Sequence, residues 1–281
     1  MPKQIHWFPG HMKKALDEIN NKIKIVDVVI ELLDARAPLS SVNFALQDLT
    51  KNKKKLIVIS KPDLADPIQN QKWEQYFANQ GNKVLLLDLT NNNATNVISN
   101  AVIALGKDKW EKEKSRGMKP QPIRAMIIGI PNVGKSSLIN RMAKRKAAGV
   151  QNKPGYTRGE QWIKVNQNFI LLDTPGILPM NYDDKNHATN LALIGSIKED
   201  ILPNTDLVHA LLDNLKTHYQ DSLKQRFDID EISDYKTVLT HICDKRKLLN
   251  SSGQSDLLKA ETLLLKEFKS GLLGRITLEW L

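Results

Sequence analysis

The densest chemistry in the sequence lies at Gly129-Ile-Pro-Asn-Val-Gly134-Lys135-Ser136, which satisfies the spacing G-x-x-x-x-G-K-[ST]. Glycines at that spacing let backbone N–H groups wrap an anion, and a helix beginning just after them adds the positive end of its dipole. The chemistry is phosphate binding, with Lys135 reaching the β and γ phosphates of a nucleotide and the Ser136 hydroxyl holding Mg²⁺. Downstream, Asp173-Thr-Pro-Gly176 closes an apolar run. A carboxylate there binds a water of the metal, and the Gly176 N–H contacts the γ phosphate and reports its loss. Between the two, Thr157 follows a Pro-Gly turn and can close over the metal, or it is a simple loop threonine.

A second cluster is Ser60-Lys61-Pro62-Asp63-Leu64. Guanine presents two donors, N1–H and its 2-amino group, that one carboxylate accepts as a pair; adenine has no such pair. Asp63 is suited to read that edge and Lys61 to lie along the base. The segment resembles the N-K-x-D-L motif of GTPases, with Ser60 where asparagine is expected. Ser60 keeps a hydroxyl and lacks the amide that ties the base loop to the phosphate loop, so weaker nucleotide affinity is expected. Alone, S-K-P-D is also a surface turn. Asp63 disfavours adenine without removing it while serine stands in for asparagine. Asp63 precedes Gly129, so the motifs run base, phosphate, threonine, D-T-P-G.

Strands must carry these residues. β-Branched runs recur at 26–36, 55–61, 83–89, 123–130, 160–165 and 169–174, with helical spacing between most of them. Apolar strands alternating with helices predict a mostly parallel sheet covered on both faces. Only Asn166-Gln167-Asn168 separates the last two runs, too short for a crossover, so they are expected to form an antiparallel hairpin in a mixed sheet. From about Leu202 helical stretches take over. There Leu257, Leu258, Glu261, Leu264 and Leu265 approximate one helix face, with Ser255 to cap it and Gly271 to end it. The expected division is an α/β P-loop domain at 1–202 and a small all-α domain at 203–281. Gly106 to Arg124 is polar and charged and reads as a solvated loop or linker.

The reversed motif order comes with Ile5-His-Trp-Phe-Pro-Gly-His11-Met12, Asp34-Ala-Arg36-Ala-Pro38 and a C-terminal stretch from Phe268 through Gly271 to Glu279. Together these resemble the circularly permuted GTPases of the YlqF/YawG family, nearly end to end. The resemblance implies a permuted GTPase domain followed by a helical domain that contacts ribosomal RNA. It implies a GTP-hydrolysing assembly factor for the large ribosomal subunit that uses Mg²⁺ and binds ribosomal precursors in a nucleotide-dependent way. GTP contacts are then expected from Ser60, Lys61, Asp63, Leu64, Thr90, Asn132, Val133, Gly134, Lys135, Ser136, Ser137, Thr157, Asp173 and Gly176, with Thr90 a loose match. Mg²⁺ falls to Ser136, Thr157 and Asp173. His11, by the same resemblance, enters the site on the ribosome; its other reading is an anchor for the N-terminal segment. Asn132 matches an asparagine that helps bind potassium, whose charge replaces an arginine finger, or it stabilises its own loop.

Many GTPases carry glutamine directly after D-x-x-G to orient the attacking water, and Ile177 stands there. Slow hydrolysis by the isolated chain and stimulation by a partner are expected, with His11, Lys135, Thr157 and Gly176 as the catalytic set. The permuted order sets the switch beside the helical part, with Ile177 to Leu202 as the hinge. Two other functions stay open: a GTPase of another cellular process, and a GTP-gated RNA-binding scaffold whose hydrolysis is incidental.

Composition bounds these readings. The chain has 281 residues, 41 Lys+Arg against 31 Asp+Glu, a formal charge of +10, and is 41% hydrophobic. It can bury a real core in one large or two modest domains. Cys243 is the single cysteine, so an internal disulfide and a multi-thiolate metal site are excluded, and it reads as a core residue in a reducing compartment. No apolar window is long enough for a membrane span, and the start lacks the form of a signal peptide, so a cytoplasmic location is expected; a monomer is expected as well. The surplus of positive charge suggests a polyanion such as nucleic acid. Residues 1–202 hold 30 Lys+Arg and 19 Asp+Glu, whereas 203–281 hold 11 and 12. Around the candidate switch, Arg141, Lys144, Arg145, Lys146, Lys153 and Arg158 occur without an acidic residue, either a solvated face or an RNA-facing switch. In the helical part Lys245, Arg246 and Lys247 form the basic run.

Overall fold

Six strands form one sheet in a computed structural model that describes residues 9–144, 162–172, 178, 185–197 and 202–281. They are β1 (Val28–Asp34), β2 (Lys54–Ser60), β3 (Lys83–Leu87), β4 (Ile123–Gly129), β5 (Trp162–Lys164) and β6 (Phe169–Leu172). The order is β3-β2-β1-β4-β6-β5, parallel throughout except for the β5–β6 pair, where Ile163 stands opposite Leu171. This is the mixed sheet and hairpin that the strand spacing predicts. β1 lies at the centre and is buried at all seven positions, which explains its largely apolar run; the buried Glu31 within it is paired with Lys55.

Alternation sends successive side chains of β1 to opposite faces. On one face Val29 and Met126 meet Ile19 and Ile23 of α1 (Pro9–Ile23) and Leu46 of α2 (Phe44–Thr50). Beside them Leu33, Ile57 and Ile59 meet Trp73 and Phe77 of α3 (Pro67–Asn79). On the other face Ile30, Leu32 and Val58 meet Ile98 and Val102 of α4 (Ala94–Ser115) and Leu138 and Met142 of α5 (Lys135–Lys144). The same apolar cluster continues through Leu191 and Ala192 of α6 (Lys185–Leu193) to the helical region. There α7 (Asn204–His218), α8 (Asp221–Phe227), α9 (Tyr235–Arg246) and α10 (Leu257–Lys269) add Leu211, Phe227, Ile242 and Leu264. Cys243 is buried in that core, as its composition suggests. No described helix is long and apolar enough to cross a membrane.

Three local expectations are corrected. Gly106–Ser115 is not linker but the second half of α4. Gly106 is buried against β4, and a Cβ there would stand 2.4 Å from Ile123 Cδ1, so glycine permits the close approach. Lys109 then bonds Asp27 and the Pro122 carbonyl, which fastens the polar half of the helix to the sheet end. The cap of α10 is Asp256, which accepts from the Lys259 N–H, rather than Ser255. Within the expected hinge Ile177 to Leu202, residues 185–193 form α6 with a buried face rather than a loose connection. Gly271 does end α10, one residue past its cap Ser270, at φ +76°.

Candidate functional site

Each described element of the candidate site sits at the carboxyl end of a parallel strand, where open α/β sheets place their ligand crevice. β4 runs into the phosphate loop and α5; β2 into the base loop; β3 into the segment of Thr90; β6 stops at Leu172, directly before Asp173. Because β1 lies between β2 and β4, the base loop and phosphate loop flank its end at Asp34.

The phosphate loop has the backbone its sequence calls for. Gly129 has φ +152°, and a Cβ on it would stand 2.7 Å from the Leu32 carbonyl oxygen, so the loop leaves the sheet through a space only glycine fits. Asn132 is left-handed at φ +62°. Val133 is buried, while Ser136 and Ser137 lie exposed in the first turn of α5. Lys135 is largely buried, and its ammonium donates to the carbonyls of Gly129 and Ile130 at 2.9 Å each. The Asn132 amide donates to the Gly195 carbonyl at 2.7 Å, joining the loop to the turn after α6.

The base loop meets the phosphate loop directly. The buried Ser60 hydroxyl lies within donating distance of the Leu33 and Val133 carbonyls. Lys61, itself left-handed at φ +56°, donates through Nζ to the Asn132 carbonyl at 2.9 Å and to Asp34 at 2.6 Å. Ser60 therefore makes the tie between the two loops that its lack of an amide was expected to remove. A short 3₁₀ turn at Pro62–Leu64 presents Asp63 to solvent and leaves Leu64 half-buried. Thr90 is exposed and donates from its N–H and hydroxyl to the Asp88 carboxylate. Its segment reaches α5 through a bond from Arg141 to the Asn91 carbonyl.

Behind these loops lies a buried charge cluster whose role no local pattern reveals. Arg36 donates to Asp34 through Nε and Nη2, to the Ile194 carbonyl after α6, and to the Lys269 carbonyl at the end of α10. Burial pushes the Asp34 carboxyl up, but Arg36 and Lys61 outweigh it and hold it at about 2. A charged residue at the end of an apolar strand was the available signal; its partners, far along the chain, were not visible.

Thr157, Asp173, Gly176 and Ile177 lie outside the described residues, as do Arg145, Lys146, Lys153 and Arg158. His11 falls within α1 and Lys144 within α5, and their side chains are outside what is described. Among the described residues no group of three or more His, Cys, Asp or Glu side chains could hold a metal.

A mostly parallel sheet with a lysine-bearing phosphate loop and an acidic base loop bonded to it, the latter first in the chain, defines a permuted P-loop GTPase fold. A family profile described as a 50S ribosome-binding GTPase matches residues 124–245, and the ribosome biogenesis GTPase A of Bacillus cereus is 40% identical over 276 residues, covering 98% of this chain and 93% of the relative. The chain belongs to the ribosome biogenesis GTPase A family. The mitochondrial ribosome-associated GTPase 1 of Bos taurus is 33% identical, covering 97% of this chain and 88% of the relative. Among solved structures, the GNP-bound YlqF of T. maritima is similar with a TM-score of 0.67 at 25% identity, covering 95% of this chain and 98% of that one.

Proposed function

We propose that this chain binds and hydrolyses GTP as an assembly factor for the large ribosomal subunit, engaging ribosomal RNA and precursor particles in its GTP state. The observation that carries the reading is the junction of the two loops, in which Ser60 bonds Val133 and Lys61 bonds Asn132. It supports reading the two loops as one nucleotide crevice, with Asp63 of the base loop as its guanine-reading carboxylate. The names of the relatives supply the ribosome.

In this reading the phosphate-loop N–H groups of Val133, Gly134, Lys135, Ser136 and Ser137 bind the phosphate oxygens, and Lys135 exchanges the Gly129 and Ile130 carbonyls for the β and γ phosphates. The exposed Ser136 hydroxyl fits a magnesium ligand, with Thr157 and Asp173 completing the protein's share. A magnesium ion bound there would supply positive charge that offsets the charge developing on the phosphates. Asp63 and Leu64 hold the base, with Lys61 and Thr90 beside it. Gly176 and Thr157 respond to the γ phosphate. Asn132 would hold a potassium ion, whose charge would offset the charge that develops in hydrolysis, and His11 orients water once the particle positions it, so that hydrolysis is slow in isolation. Residues 1–202 act as the GTPase unit and 203–281 as the RNA-contacting unit of a cytoplasmic monomer.

The decisive experiment is co-sedimentation with large-subunit precursors, with a non-hydrolysable GTP analogue against GDP, beside a binding comparison of GDP with ADP. Retention in the analogue and release in GDP, with GDP preferred to ADP, is the expected result. Equal retention in both nucleotides removes the assembly reading, and equal affinity for ADP removes the guanine reading.

A further inference from the structure

The last residues of the chain, after α10, return to the base loop. Gly271 turns the backbone at φ +76° so close to that loop that a Cβ on it would stand 2.7 Å from Leu64 Cδ2. From there residues 272–281 form a strap across the carboxyl end of β2. The Ile276 N–H donates to the Leu64 carbonyl at 3.0 Å, and the Asp66 N–H donates to the Thr277 hydroxyl. Arg275 completes the contact as a fork, with Nε on the Ala65 carbonyl at 3.0 Å and Nη2 on the Pro62 carbonyl at 2.9 Å. Beyond it, the Leu278 N–H donates to the Arg36 carbonyl and the Glu279 carboxylate accepts from the N–H groups of Leu39 and Ser40.

The turn that presents Asp63 is a single 3₁₀ turn entered through a left-handed Lys61, closed by Leu64-to-Lys61 and Ala65-to-Pro62 backbone bonds of 3.1 and 3.4 Å. From inside, the buried Asn70 amide donates to the Pro62 carbonyl at 3.0 Å; from the outer side the strap supplies the further donors. The strap takes the carbonyls on both sides of Asp63, at Pro62, Leu64 and Ala65, and leaves the Asp63 side chain exposed. Arg275 is itself exposed at its surface, so its value to the core is small. Its guanidinium geometry suits two carbonyls three residues apart, which a lysine ammonium matches poorly.

We propose that Arg275 is a positioning residue for base recognition: its fork clamps the Pro62–Ala65 turn so that Asp63 faces both guanine donors, which makes guanine selectivity depend on the C-terminal strap. The proposal rests on the reading of Asp63 as the guanine-binding carboxylate. Coupling is reciprocal between linked sites, so a bound guanine nucleotide should in turn hold the strap in place.

The test measures affinities of the full-length chain for GDP, inosine diphosphate and ADP by competition against a fluorescent GDP analogue, for the wild type and for Arg275→Ala, Arg275→Lys and Asp63→Ala. Inosine diphosphate lacks the 2-amino group, so the GDP-to-inosine ratio reads the aim of Asp63 rather than the phosphate contacts. The expected result for Arg275→Ala is a loss of about tenfold in GDP affinity, from two charge-assisted bonds, with a smaller loss for inosine diphosphate and hence a lower ratio. Arg275→Lys should recover part of the ratio. Protection of the Ile276 and Leu278 amides from hydrogen exchange should rise when GDP binds the wild type. If Asp63→Ala abolishes guanine preference while Arg275→Ala leaves the ratio unchanged, or lowers all three affinities alike, the proposal is overturned and the guanine reading stands. If the wild type does not prefer GDP to ADP, or Asp63→Ala keeps that preference, the guanine reading itself has failed and the proposal with it.

Discussion

The Ser60 hydroxyl at the end of β2 stands 2.8 Å from the Leu33 carbonyl and 2.9 Å from the Val133 carbonyl of the phosphate loop. A hydroxyl carries one proton, so it serves one carbonyl at a time and bridges the two backbones as a shared donor. Ser60→Ala removes that bridge at a buried position, and GDP affinity should fall about fivefold. Ser60→Asn should bring no gain, because the tie already exists and the larger side chain must enter a site with no exposed surface. Titration with a fluorescent GDP analogue decides; tighter binding by Ser60→Asn sinks this account.

Asn132 holds a left-handed backbone while its amide nitrogen is engaged with the Gly195 carbonyl, which leaves the amide oxygen as the atom for a cation. Replacing sodium by potassium should raise GTP hydrolysis by the wild-type chain at least about tenfold, and Asn132→Ala should abolish the difference between the ions. Steady-state phosphate release in the two salts is the measurement. Equal rates in both salts for the wild type would leave Asn132 a loop-stabilising residue only.

Arg36→Ala should destabilise the fold by about 3–5 kcal/mol, because it strips a buried carboxylate of its two-pronged, fully buried cation and removes a donor from each of the carbonyls of Ile194 and Lys269. The pH dependence has a definite sign. The Asp34 carboxyl titrates at about 2 in the fold against an ordinary 3.8, so its contribution is complete above that ordinary value and is lost as pH falls through the folded one. Roughly 2 kcal/mol should disappear between about pH 4 and pH 2. Urea midpoints across that range, for wild type and Asp34→Asn, should converge at the acid end; parallel lines would show that Asp34 does not carry the effect.

Gly106→Val should cost about 1–3 kcal/mol by driving a side chain into Ile123, and the cost should shrink when Ile123 is also cut to alanine. Additive losses in that double-mutant cycle would mean that the close approach of α4 to β4 does not set the penalty.

What the sequence made legible was local. The phosphate loop, the acidic base loop and the strands feeding them are short patterns whose chemistry is complete within a few residues, and the structure joins the two loops despite their reversed order. The second half of α4 escaped because Lys107, Asp108, Glu111, Lys112 and Lys114 cover its outer side and conceal the one glycine that decides its packing. The cap of α10 was missed by one residue because Ser255 and Asp256 are both capping types. Arg36 and Arg275 were visible as residues and invisible as partners, because no periodicity links a strand end to carbonyls at Ile194 and Lys269 or a C-terminal arginine to Pro62.

Translation makes the base turn well before the strap. Ala65 and Arg275 are 210 residues apart, so at roughly 5–20 residues per second the emerging base turn waits on the order of tens of seconds for the residue that clamps it. A nascent chain thus has both nucleotide loops before it has the means to aim Asp63. On the proposal that Arg275 aims Asp63, selectivity between guanine and other bases would then be acquired later than phosphate binding as the chain is made, because the phosphate loop at 129–136 also precedes the strap.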